Sequence, residues 1–160
     1  MSENRLDRTD VWILQALQGQ ARLSSAELAE KVALTPSPCW RRVKRLEDEG
    51  YIRGYRTELD PVKLGFGVTA FVSVMLENHR VDLGQEFEAA VAEVPQILSC
   101  HNVTGRYDFL LTVVAADLAS FGDFARQVLR ALPGVKEVYS SFSLRETKAA
   151  GRLPLDLLLR

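Results

Sequence analysis

Apolar positions recur along this chain at two different periods, and the pattern changes near residue 68. Before it the spacing is helical. Val11, Leu14 and Leu17 form one stripe, widened by Ile13, behind an Asp7 cap with Asp10 at the third helical position and a Leu6/Val11 staple. Gly19 closes that predicted helix. Ser24 and Glu27 make a capping box, with a Leu23/Leu28 staple, for a short second helix ending near Val32. A third helix opens within Thr35-Pro36-Ser37-Pro38, where prolines are tolerated because first-turn N–H groups have no intrahelical partner. Pro38 biases Ser37 away from helical angles, so Ser37 is the preferred cap and Thr35 the alternative; Gly50 ends the helix. Three helices with a tight second connection predict a helix-turn-helix. Tyr51 to Leu59 reads as a strand or small wing, leading to a hinge at Asp60-Pro61 and a Gly65/Gly67 loop.

From Val68 to Leu76 the chain is a long, largely apolar strand. Asp82 to Val94 is helix-like, with Phe87, Ala90, Val91 and Val94 on one face. Strands follow over Ile97–Val103 and Phe109–Val114 around a Gly105 turn. Leu118–Leu132 is helical up to the Pro133-Gly134 break, and Val135–Leu144 alternates as a strand. The order β-α-β-β-α-β is the ferredoxin-like pattern and predicts one antiparallel sheet with both helices on one face. The other face, assigned to Ala70, Val72 or their neighbours, is apolar enough to predict a dimer by sheet packing. The fold class is therefore α+β: a winged helix-turn-helix domain over residues 1–60, a linker over 61–67 and a ferredoxin-like domain over 68–160.

The net charge of −1 does not announce nucleic acid, but Arg41, Arg42, Lys44 and Arg45 fall together. A local basic patch is what phosphate binding needs. At 100° per residue, Cys39, Val43 and Leu46 face the core. Ser37, Arg41, Lys44 and Asp48 face away, with Pro38 and Arg45 on one shoulder and Trp40 on the other. Base-edge contacts are expected from Ser37, Arg41 and Lys44, since arginine bridges guanine O6 and N7. Arg45, Arg42 and Arg53 are expected on phosphate, although Arg42 lies near enough to the buried stripe to pair with an acid. Glu47, Asp48 and Glu49 repel DNA, so the helix is expected to enter by its N-terminal half.

The apolar runs are far shorter than the roughly 18 residues a membrane span needs. The opening MSENRLDRTD is polar and lacks an apolar signal segment, so a cytoplasmic protein is expected. Cys39 and Cys100 sit in apolar company and read as small buried side chains, not a disulfide or metal site. Cys100 and His101 are adjacent on a strand and point to opposite faces, so they do not act as a pair. His79 has no ligand partner at useful spacing. With no phosphate-binding glycine loop and no His-Glu-x-x-His, neither catalysis nor a cofactor is expected.

Several stretches together resemble the Lrp/AsnC class of bacterial and archaeal transcription regulators, nearly end to end. They are Leu6-Asp7 with Asp10, Leu34 to Cys39, Arg42 to Glu47, Gly50-Tyr51-Ile52, Asp60-Pro61, and Val103-Thr104-Gly105-Arg106-Tyr107-Asp108. The resemblance implies a DNA-binding first domain contacting double-stranded DNA. It also implies a second domain that builds dimers, commonly four to an octameric ring, and binds a free amino acid near dimer–dimer contacts. Carried onto this chain, the effector loop is Thr104, Gly105, Arg106, Tyr107 and Asp108, with Ser140 and Ser141 as neighbours on the last strand. Asp108 suits the effector's ammonium group, and N–H groups freed by the Gly105 turn suit its carboxylate. Without the resemblance, Gly105 simply makes a turn and Asp108 satisfies local backbone. Arg106 departs from the acidic or polar residue often found there. Pro38-Cys39-Trp40 and Leu153-Pro154-Leu155 resemble a subgroup with members responding to cysteine; others in the class respond to leucine or methionine. The alternative is an architectural DNA-binding regulator without an effector.

Overall fold

The structure, a computed structural model, describes residues 6–78, 81–149 and 151–159. His79 lies outside them. The chain divides into two compact units: the first runs to Glu58 and regains the chain from Lys148 onward, and the second is Leu59–Thr147. The expected domain limits therefore shift at both ends. Residues 61–67 turn within the second unit, where Gly67 N–H donates to the Ala116 carbonyl. The tail from Lys148 belongs with the first unit, for reasons of hydrogen bonding given below.

The first unit holds α1 (Arg8–Gly19), α2 (Ser25–Lys31) and α3 (Pro36–Asp48). Both expected capping boxes form: Asp7 with Asp10, and Ser24 with Glu27. The third start differs. Thr35 is the cap and Ser37 is helical, yet Thr35 makes no side-chain cap bond. Pro38 at the third helical position has no N–H to offer it. The α2–α3 turn is tight enough to hold Ala33 at φ +53°, with Leu34 N–H donating to the Ala29 carbonyl at 2.9 Å. Ile13, Leu28, Ala29, Val32, Cys39 and Leu46 form the buried core. Tyr51–Leu59 is not a strand: after a bend at Tyr51-Ile52, where the Ile52 N–H donates to the Leu46 carbonyl at 3.0 Å, it is irregular and nearly all exposed, with no ladder to another strand among the described residues.

The second unit holds β1 (Val68–Leu76), α4 (Val81–Ala92), β2 (Ile97–Asn102), β3 (Phe109–Ala115), α5 (Leu118–Gln127) and β4 (Val135–Phe142). The last turn expected of α5 tightens into a 3-10 segment, Leu129–Ala131. The sheet order is β2-β3-β1-β4 with all three pairings antiparallel, the arrangement the β-α-β-β-α-β order requires. Ala70, Val72 and Val74 are fully buried and share a core with Phe87, Leu111, Val113, Phe121 and Leu129, so they face the helices. The open face carries their neighbours instead. Phe71 pairs with Thr112 and Ser141, and Ser73 with Leu110 and Tyr139. Phe71, Leu110 and Tyr139 all remain exposed on it.

Candidate functional site

In the first unit, the packing of α1 against α3 decides which cations remain available. Asp10 is 1% exposed, and its carboxylate accepts from the Asp7 N–H at 3.0 Å, Arg42 Nη1 at 2.8 Å and Arg45 Nη2 at 2.5 Å. Arg42 also donates to Asp7 at 2.6 Å. A carboxylate removed from water needs such compensation. These hydrogen bonds and charges hold the Arg42 and Arg45 guanidinium groups more basic than usual. Burial pushes the Asp7 carboxyl up, but the Asp10 N–H and the Arg42 hydrogen bond outweigh it and leave it below the usual range.

Two of the four clustered cations thus hold α3 against α1. Lys44 lies on the exposed face as expected, yet it donates to Asp48 at 2.8 Å, which raises its basicity. Arg41 is exposed and, among the described residues, has no hydrogen-bonded or ionic partner. Trp40 is 57% exposed beside it. Ser37 is exposed in the first turn and Pro38 is half-buried. Prolines at two of its positions leave few free N–H groups there, so the helix terminus is a poor anion cradle.

Arg53 and Arg56 follow on the irregular arm, exposed and also without partners among the described residues. Between them Tyr55 donates its hydroxyl to Glu47 Oε1 at 2.9 Å. Burial and then this bond push its phenol up to about 12. Sequence reasoning singled out Arg53 but missed Arg56. The signal was available in the Tyr-x-x-x-Tyr-Arg spacing of Tyr51, Tyr55 and Arg56.

In the second unit Gly105 holds φ +121°, a conformation glycine supplies, and turns β2 into β3. Asp108 closes the turn: its N–H donates to the Val74 carbonyl at 2.9 Å, and its carboxylate accepts from the Leu76 N–H at 2.8 Å. Asp108 also lines an open cavity of about 380 Å³ with Asn78, Gln85, Glu88 and Asn102. Those four were absent from the expected site. They come from α4 and strand ends whose proximity depends on sheet register.

The expected neighbours on β4 are displaced as well. Ser140 pairs with Val72 and Ser141 with Phe71, on opposite faces and several residues along β1 from Leu76. Glu137 is the residue beside the turn. It accepts from Arg106 at 3.1 Å and from the Tyr107 hydroxyl at 3.2 Å. The Arg106 guanidinium lies 5.2 Å from the Tyr107 ring, which stacks on Tyr139 at 6.3 Å. Thr104 is exposed in the same turn.

Cys100 packs toward the core and His101 pairs with Leu110 on the open face. Cys39 and Cys100 are free and lie in different units. Burial pushes both thiols up. Among the described residues no cluster of acids, histidines and cysteines could hold a metal ion, and no helix is long and apolar enough to cross a membrane.

Two family models match the chain: a winged helix-turn-helix DNA-binding model over residues 6–53 and the Lrp/AsnC ligand binding domain over residues 69–153. The chain is 38% identical over 151 residues to the DNA-binding transcriptional activator DecR of Escherichia coli K12, covering 94% of this chain and 99% of that protein. It is 42% identical over 150 residues to the Bkd operon transcriptional regulator of Pseudomonas aeruginosa, covering 94% and 98%. Among solved structures, the L-Met complex of a transcriptional regulator from Neisseria meningitidis superposes with a TM-score of 0.90 at 42% identity, over 96% of this chain and 99% of that one.

Proposed function

Because the chain belongs to the Lrp/AsnC family of DNA-binding transcription regulators, we propose that it controls genes of amino-acid metabolism and is itself controlled by a free amino acid held in its second unit. What supports this most directly is the cavity beside Asp108. Two carboxylates and three carboxamides line it, a donor and acceptor set suited to an ammonium group and to the polar end of an amino acid. L-Met, which the Neisseria protein binds, is the first effector to test; leucine and cysteine follow. Arg106, tied to Glu137, leaves a cationic edge on the turn for a carboxylate.

In the first unit α3 enters a major groove by its N-terminal half. Arg41, with Ser37 and Lys44, takes base edges; Trp40 and Pro38 give apolar contact there. Arg53 takes phosphate, while Arg42 and Arg45 fix the helix that presents these groups. A second copy covers the apolar sheet face around Phe71 and Leu110, and such dimers assemble further, to an octamer in this reading. The protein works in the cytoplasm and carries out no catalysis.

Thermal unfolding against each free amino acid tests the effector. A ligand at 100 times its Kd adds about 2.7 kcal/mol to stability. Asp108→Asn keeps an acceptor for the Leu76 N–H but removes the charge, and should abolish the selective shift. No shift with any amino acid, alone or with DNA bound, would favour the architectural regulator without an effector. For DNA, Arg41→Ala should weaken binding to a selected site far more than to random sequence.

A further inference from the structure

The winged helix-turn-helix match stops at residue 53, yet the chain just beyond it is organised against α3. Tyr55 reaches back to Glu47 at 2.9 Å, and Tyr55, Glu47, Lys44, Val43 and Trp40 line one cavity of about 240 Å³. The arm therefore runs along the flank of the recognition helix that carries Trp40. Gly54, at φ +152°, lets the backbone change direction beside the anchored tyrosine. Arg53 and Arg56 flank that anchor, both exposed and without partners among the described residues. An irregular segment has no ladder of its own to hold its cations in place. One side-chain hydrogen bond to a rigid helix supplies that restraint.

We infer that Tyr55 is the positioning residue of a second DNA contact, an arm on which Arg53 and Arg56 bind backbone phosphates flanking the groove entered by α3. It rests on the reading that α3 is the element inside the groove. The bond has a second effect. It engages Glu47 with a donor, which lessens the repulsion of DNA by an acid beside Lys44. Phosphate contacts fix register and affinity and carry no base preference, so this contact operates on DNA of any sequence.

The test is the salt dependence of binding of the full-length protein to a random-sequence duplex of 40 base pairs. Each lost phosphate contact lowers the slope of log K against log salt by about 0.9. The Arg53→Ala/Arg56→Ala double variant should lose about 1.8 per bound protomer. Tyr55→Phe, which removes only the donor, should lose about half of that or more. Introduced into the double variant, it should lose nothing further. Tyr55 is half-exposed, so unfolding of Tyr55→Phe followed by Trp12 and Trp40 fluorescence should match the parent protein. A wild-type slope in Tyr55→Phe, or an equal loss in both backgrounds, overturns the inference. If wild-type binding itself lacks salt dependence, the failure lies with the DNA-binding reading and not with the arm.

Discussion

The two units keep their helices in place by different means. In the second, α4 and α5 lie on a sheet face of Ala70, Val72, Val74, Leu111 and Val113, and the buried side chains of that core are all apolar. In the first, an apolar core is supplemented by Asp10, the one buried charged residue among those described, bridged to two arginines of α3. Apolar contact is non-directional and tolerates sliding. A carboxylate shared between guanidinium groups fixes orientation as well as distance. A recognition helix must present its side chains at a set angle, and the ionic junction sits where that demand falls. The comparison also separates residues of one kind: Arg42 and Arg45 are framework, whereas Arg41 is available to a partner.

The contrast is open to attack because Trp12 and Trp40, the chain's two tryptophans, both lie in the first unit. Their fluorescence reports that unit, while far-UV circular dichroism reports both. The largest effect is expected from Phe87→Ala. Phe87 is fully buried against Phe109, with ring centroids 4.6 Å apart. Its loss should cost about 4 kcal/mol, read in denaturant as an early circular dichroism transition with the tryptophan transition unmoved. Asp10→Ala should do the reverse. It takes the ionic partner from Arg45, leaves Arg42 only Asp7, and should cost about 2 kcal/mol since both guanidinium groups still reach water, read as an early tryptophan transition. Equal movement of both probes in either variant would show that the units unfold together.

Smaller effects sharpen the picture. Gln18 grips the tail at both backbone groups of Leu153, accepting from its N–H at 2.8 Å and donating to its carbonyl at 3.4 Å. Gln15 donates to Asp156 at 2.6 Å. Gln18→Ala should cost the first unit about 1 kcal/mol and open the tail to protease ahead of global unfolding. The smallest change is Asp7→Asn. Asparagine caps a helix as well as aspartate, so only the ion pair to Arg42 is lost, about 0.5 kcal/mol for a half-exposed group. The Asp7 carboxyl is held below its unfolded value. Its contribution is therefore present above about pH 4 and disappears as the pH falls through the folded value. Wild type and Asp7→Asn should differ at pH 7 and converge as the pH falls below the folded value.

What the sequence made legible was local or periodic. The boxes at Asp7/Asp10 and Ser24/Glu27 are set within four residues, and both form as read. The β-α-β-β-α-β order follows from runs and breaks, and it too is present. Two readings turned on contacts between distant segments, and a third on two neighbours acting together. Arg45 looked like a surface cation because nothing near it in the chain shows that α1 brings Asp10 to it. Glu137, not Ser140 or Ser141, stands beside the turn because β4 pairs with β1 in a register that no short stretch encodes. Thr35 caps α3 because two prolines cooperate in one turn, which a rule applied to Pro38 alone does not capture.

The grip of Gln18 on Leu153 joins positions 135 residues apart in the chain. Its consequence lies in the order of synthesis. The three helices of the first unit emerge from the ribosome early and can close their core at once. The outer face of α1 stays open until the whole second unit has been made. The unit begun first is thus finished last, and a nascent chain passes through a stage with its helix-turn-helix assembled and its last support still unmade.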